Sequence, residues 1–227
     1  MLKTEFAIFS EIQLKNLNCQ KHGQNFWDRV LAPLKELVIQ LLEVTDRADP
    51  IKRILEVNED VLGVYRYHLS GKGIPYDQDP MKGEVVLYWG VIGLIAGFLG
   101  VSSENLTIVV MAHEVAHAYS HLGSDIDGER WDTKTFSKSD HKLKEGLAQY
   151  FTHRLCLRLQ TQFPYAHDAY ANLLKHQPEA YRTHEPWIKN NTPEEVRLAM
   201  LETRRKGAGE IDHFNRSLAK AKSSLRY

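Results

Sequence analysis

The chain has 227 residues, 43% of them hydrophobic, with 29 Lys+Arg balanced by 29 Asp+Glu. That supplies core material for one generous domain, or for a domain with a helical extension. The charge balance excludes a broad surface for nucleic acid or for anionic membrane.

The N-terminus, Met1-Leu2-Lys3-Thr4-Glu5-Phe6, opens with charge and lacks the long apolar core and small-residue cleavage site of a signal peptide. A cytoplasmic location is therefore the expectation. Cys19 and Cys156 have neither redox nor zinc spacing and read as buried thiols rather than as a disulfide pair. From Asn25 to about Val44, Phe26, Val30, Leu34, Leu37, Leu41 and Val44 recur at helical spacing, with a kink expected at Pro33. Residues 61–69 alternate enough for a strand, and 71–80 form a loop rich in Gly and Pro.

Residues 85–103 carry no charge and just reach the length needed to span a membrane. Gly93 and Gly97 even match the small-xxx-small pattern of paired membrane helices. The repeated glycines dilute the hydrophobicity, however, and no Lys/Arg cluster marks a cytoplasmic flank. The segment is better divided into a β-rich stretch, 84–89, and a short buried helix, 90–99, whose glycines let a neighbour approach.

Next comes a helix expected over 104–122, with candidate N-caps in Ser102-Ser103-Glu104-Asn105 and Gly123 just past its end. It carries His113-Glu114-Val115-Ala116-His117. Two histidines four apart share one helix face, so one metal ion can bind both. Glu114 emerges on the adjacent flank, where it can reach a water at the same ion. Leu106, Val110 and His121 share the histidine stripe. An apolar helix would bury His-Glu-His at a cost unless a partner met it.

A hydrolytic zinc takes three protein ligands and keeps one position open. Ser120 and Gly123 stand where a metzincin would need Gly and His, which removes that arrangement. The better third ligand is Glu145, in the second turn of a helix capped by Ser139 or Asp140 and running to about Leu159. Gly146 and Ala148 beside it are small, and we expect them to let this helix close on the metal helix.

Further on, a helix is expected over 165–176, then an irregular stretch from 178 to 191. Thr192-Pro193-Glu194-Glu195 is a helix start with N-cap, N1 proline and capping-box glutamate, and Gly207 is its stop. A last amphipathic helix, about 212–225, reads as weakly anchored. Asp125-Ile126-Asp127-Gly128-Glu129 lacks EF-hand spacing and reads as a solvated acidic loop. Arg204-Arg205-Lys206 suits the dipole at its own helix end. No repeat or linker divides the chain. It reads as a single domain with a helical region over 1–60, a metal-site core over 61–160 and a helical subdomain over 161–227.

His113-Glu114-Val115-Ala116-His117 followed by Glu145-Gly146-Leu147-Ala148-Gln149-Tyr150-Phe151 resembles the gluzincin branch of zinc metallopeptidases. The resemblance covers roughly residues 85–159. It implies an α+β, predominantly helical fold with a zincin-like core, in which a small mixed sheet packs on the metal-binding helix and further helices follow. It implies one zinc ion on His113, His117 and Glu145, Glu114 as general base, a peptide or protein substrate, and Val85–Trp89 as the substrate-binding edge strand. Two departures stand out. The interval from His117 to Glu145 is longer than in thermolysin-like enzymes and must form a loop, and Gln149 replaces the aspartate that orients a ligand histidine there.

Amide hydrolysis also needs a donor to the developing oxyanion. The sequence offers His121, His141, Tyr150, His153, Tyr170, Tyr181, His184 and His213. The family's habit of taking this donor from beyond the second helix favours Tyr181 or His184. Alternative functions are a non-catalytic metal-binding interaction protein on the same scaffold, or a zinc hydrolase of another amide.

Overall fold

The computed structural model describes residues 61–67, 83–123, 128 and 130–224. The expected helix from Asn25, the loop over 71–80, Cys19 and most of the acidic stretch over 125–129 lie outside the described residues. The described chain is mostly helical with a small sheet, an α+β arrangement.

Strands β1 (Gly63–Tyr67) and β2 (Gly83–Leu87) pair antiparallel, with Gly63 opposite Leu87. The sheet is thus two-stranded and antiparallel among the described residues, not mixed as expected. A parallel pair would need a third strand or a crossover element between neighbours. Both strands lie on the long metal-motif helix. At Gly63 an added Cβ would stand 2.8 Å from Val110 Cγ1, so only glycine lets β1 come this close.

Helix α1 (Trp89–Leu99) follows directly and ends at Gly100, whose φ of 67° is the left-handed cap conformation that glycine adopts freely. Its 11 residues reach only about half way across a bilayer core. No described helix is long and apolar enough to cross a membrane. Its glycines work differently from expectation, since an added Cβ at Gly90 or Gly97 would meet nothing within 4 Å. The contact surface is instead Ile92, Ile95 and Ala96, buried against Leu106, Val109 and Val110.

Those three belong to α2 (Ser103–Leu122), which starts where the sequence indicates: the Ser102 hydroxyl accepts from the Asn105 N–H. Its C-terminal end is held from a distance. Arg204, 2% exposed, donates from Nη1 to the Gly123 carbonyl. The cation therefore serves the dipole of α2 rather than that of its own helix.

The interval between His117 and Glu145 is not wholly a loop. It includes α3 (Thr133–Lys138), anchored by buried Trp131 and Phe136. Helix α4 (His141–Arg158) then begins at Asp140, whose side chain accepts from the Lys142 N–H, and packs along α2. Cys156 on α4 is a buried free thiol. Burial pushes it up to about 11, so it stays protonated and inert.

Helix α5 (Ala166–Leu174) closes the first core with α1 and α2. The stretch after Pro178, expected to be irregular, contains a 3₁₀ turn (Glu179–Arg182) and helix α6 (Glu185–Asn190). Pro186 hides α6 in the sequence, yet proline is tolerated in a first turn, where no intrahelical N–H bond is lost. Helix α7 (Pro193–Arg205) carries the full capping box between Thr192 and Glu195. Gly207 follows it with φ 58°. Helix α8 (Ile211–Ser224) is firmly seated, against expectation: Phe214 is 0% exposed and Leu218 also lies in the second core, shared with α3, α4 and α7.

Gly146 supplies a correction of its own. A Cβ there would stand 2.7 Å from the Trp187 ring and 3.2 Å from Thr183 Cβ. The small residue therefore admits α6 and the 3₁₀ turn, not the metal helix. Gly146→Val should drive a branched side chain into that indole and cost about 2 kcal/mol, read as a lower urea midpoint. An unchanged midpoint would mean that Trp187 moves aside freely.

Candidate metal centre

The core contact between α2 and α4 brings three side chains together. His113 and His117, one turn apart on α2, place their Nε2 atoms 3.1 Å from each other, with ring planes at 88°. From α4, Glu145 Oε2 comes within 3.2 Å of His113 Nε2 and 3.5 Å of His117 Nε2. The three residues could hold a metal ion, since each offers a ligand atom and these lie within 4.8 Å of one another. The sequence assignment of all three to one place is thus matched by the geometry.

Glu145 is 7% exposed. Burial by itself would raise its carboxyl pKa, but the imidazoles of His117 and His113 outweigh it and hold the group well below the ordinary carboxylate range. The acid is therefore an anion, as a metal ligand must be. One turn earlier on α4, His141 places Nδ1 3.8 Å from Glu145 Oε1. Tyr181 covers the same side. Its ring stacks on His113 at 5.6 Å and 18°, and meets His141 edge-on at 6.3 Å.

Glu114 is buried, 6% exposed, and lies under β1. A Cβ at Gly63 would stand 3.2 Å from both its Cγ and its Oε1. The glycine thus leaves room for the carboxylate between strand and helix. Nothing in the sequence around Gly63 announces that role.

The remaining donor candidates separate. Tyr181 and His141 stand at the cluster. His184 does not present a free donor there: its Nδ1 donates to the Tyr181 carbonyl (2.8 Å), and the Tyr170 hydroxyl donates to its Nε2 (2.6 Å). The carbonyl can only accept, which fixes the proton on Nδ1. Burial keeps this imidazole neutral down to about pH 4. His184 and Tyr170 are thus struts that set the position of Tyr181. Tyr150 packs in the second core, and His213 belongs to α8. His153 stands beside His167 and Tyr170.

His121, on the ligand stripe in sequence, turns to other partners. One further turn of α2 carries it towards β1 and α3, where Nδ1 bonds Tyr65 Oη (3.0 Å) and Nε2 bonds Thr133 Oγ1 (2.9 Å). Its ring stacks on Phe136 at 4.4 Å. Gln149, in place of the family's aspartate, donates to Gln177 Oε1 and braces α4 against the segment after α5.

Two expectations follow. Glu145→Ala should lower the metal content of the purified chain by more than the roughly 10–100-fold that loss of an outer-shell partner costs, measured by metal analysis after dialysis. Unchanged content would place the third ligand elsewhere. The second concerns acid. Burial holds His121 down at about 4, whereas an unfolded histidine titrates near 6.5. The unfolded chain then binds the extra proton, so stability is whole above pH about 6.5 and declines towards pH about 4, by up to about 1.4 kcal/mol per pH unit for this group. His121→Gln should flatten that slope in urea titrations across the window, leaving the share contributed by His184. An equally steep slope would show that His121 takes no part.

Compared with models of protein families, with curated proteins and with solved structures, the chain matches none.

Proposed function

We propose that the chain is a zinc-dependent metallopeptidase with a zincin-like core of the gluzincin kind, acting on peptide or protein inside the cell. The observation that carries this reading is the triangle of ligand atoms. A tetrahedral zinc with bonds of about 2.0–2.1 Å has ligand-to-ligand edges of about 3.3–3.4 Å. The edges found are 3.1, 3.2 and 3.5 Å. Two imidazoles and one carboxylate also suit zinc in kind, and three ligands are the number a catalytic site uses.

A zinc ion held by His113, His117 and Glu145 would supply Lewis acidity, making a water a stronger acid and a carbonyl a better electrophile. The chain's own residues supply the rest. Glu114 follows the first ligand and is buried, so its carboxylate works in a medium of low dielectric, where a proton acceptor beside an electrophile is most effective. It accepts the proton of the attacking water and returns it to the departing amine nitrogen. Its intact presence favours an enzyme over a structural metal site, which requires no base. Tyr181 and His141, whose rings stand beside the cluster, are the proposed donors to the oxyanion, and the neutral His184 holds the Tyr181 backbone. Strand β2 is the candidate edge along which an extended peptide lies.

The decisive comparison is Glu114→Gln against the parent, both loaded with zinc, on a mixed peptide library. Metal stoichiometry should be unchanged while turnover falls by about 10²–10⁴-fold. A zinc-loaded parent that cleaves none of the library would overturn the peptidase reading in favour of a metal-binding interaction protein. Cleavage of non-peptide amides alone would make it a hydrolase of another class.

A further inference from the structure

A second concavity lies apart from the metal ligands, between α4, α5 and the turn leading into α6. It holds about 350 Å³, within the range of small-molecule sites. None of His113, His117 or Glu145 lines it, and the proposed peptidase chemistry leaves it without a task.

Its lining has two parts. Part of the lining is apolar: Ala171, Leu174 and Ile188. The charged part is three cations, Lys175, Arg182 and Lys189, against the single carboxylate of Glu185. That carboxylate is already drawn to Arg182, with Oε1 3.9 Å from Nε. His153 and His167 also line it, ring centroids 5.2 Å apart, each within about 6 Å of the Tyr170 ring. The Nε2 of His167 is buried and has no hydrogen-bond partner. A buried polar atom without a partner is costly, and a bound ligand that brought the missing partner would relieve it.

Burial, then the neighbouring charge of His167 and of Arg154, lowers the pKa of His153. The lining cations, Lys175, Arg182 and Lys189, outnumber its one carboxylate, so the cleft favours an anion. A metal cation is disfavoured for the same reason.

We propose that this cleft is a binding site for a small organic carboxylate, its apolar body on Ala171, Leu174 and Ile188 and its anionic head among His153, His167 and the basic rim. The site is one residue layer from the metal centre: His184 lines the cleft and bonds the Tyr181 carbonyl, and the Tyr181 ring stacks on His113. The proposal does not depend on the peptidase reading, because its readout is binding alone.

The test titrates the zinc-loaded full chain with hexanoate and with 1-hexanol by calorimetry. Hexanoate should bind at least about tenfold more tightly than the alcohol, a difference of about 1.4 kcal/mol. The double variant Lys175→Gln/Lys189→Gln changes two exposed side chains and should abolish that preference; His167→Gln should weaken hexanoate several-fold. Equal affinity for acid and alcohol would overturn the proposal. So would a preference that survives the double variant, since the carboxylate would then sit elsewhere, the metal included. Displacement of hexanoate by Gly-Gly-Leu with a free C-terminus, but not by its amide, assigns the carboxylate to a peptide end. Failure of both to displace it assigns the site to a free acid.

Discussion

The packing of α2 along α4 is the constraint from which the site follows. It sets a carboxylate that is almost fully shielded from water beside two imidazoles on the facing helix. A lone buried carboxylate would be expensive, and the same group flanked by hydrogen-bonding imidazoles or by a metal is less so. Each helix is therefore held where it is by more than apolar contact. Helix α4 is fixed along its length by Asp140 at the start, by Trp187 in the notch at Gly146, and by Gln149 bonded to Gln177. Helix α2 is capped by Ser102 at one end and by Arg204 at the other. His113 and His117 sit well inside α2, and Glu145 lies in the second turn of α4, just past its Asp140 cap.

Beyond the ligands, a chain of buried polar contacts runs from Tyr170 through His184 to the Tyr181 backbone, and from the Tyr181 ring to His113. In a low-dielectric interior such a network is rigid when every member is satisfied. His184 meets that condition with both nitrogens engaged. It is thus a device for placing an aromatic ring against a ligand histidine, and the sequence shows it only as one more histidine.

Legibility in the sequence divided along physical lines. Signals that act within a few residues were readable: the Ser102 cap, the two-histidine face of α2, the Asp140 start, the Thr192–Glu195 capping box and the Gly207 stop all lie where local chemistry puts them. Glu145 was singled out by its motif on the following helix, and the geometry brings it to the two histidines. What could not be read was who meets whom. Gly146 announces a close approach without naming Trp187. Arg204 announces a helix end without saying that the end belongs to α2. Eight His and Tyr residues looked alike as donors, since nothing local separates a strut such as His184 from a wall such as Tyr181. Helix α8 looked loose because its anchor, Phe214, needs the second core to be seen at all.

The bond from Arg204 to Gly123 joins residues 81 apart in the chain. A ribosome delivers the amino end first, at about 5–20 residues per second. The histidine-bearing rod thus spends several seconds of synthesis with its tail untethered, and the lock that finishes it arrives from α7, among the last of the helices to emerge. The far end of the His113–His117 helix is therefore completed by residues made long after the helix itself.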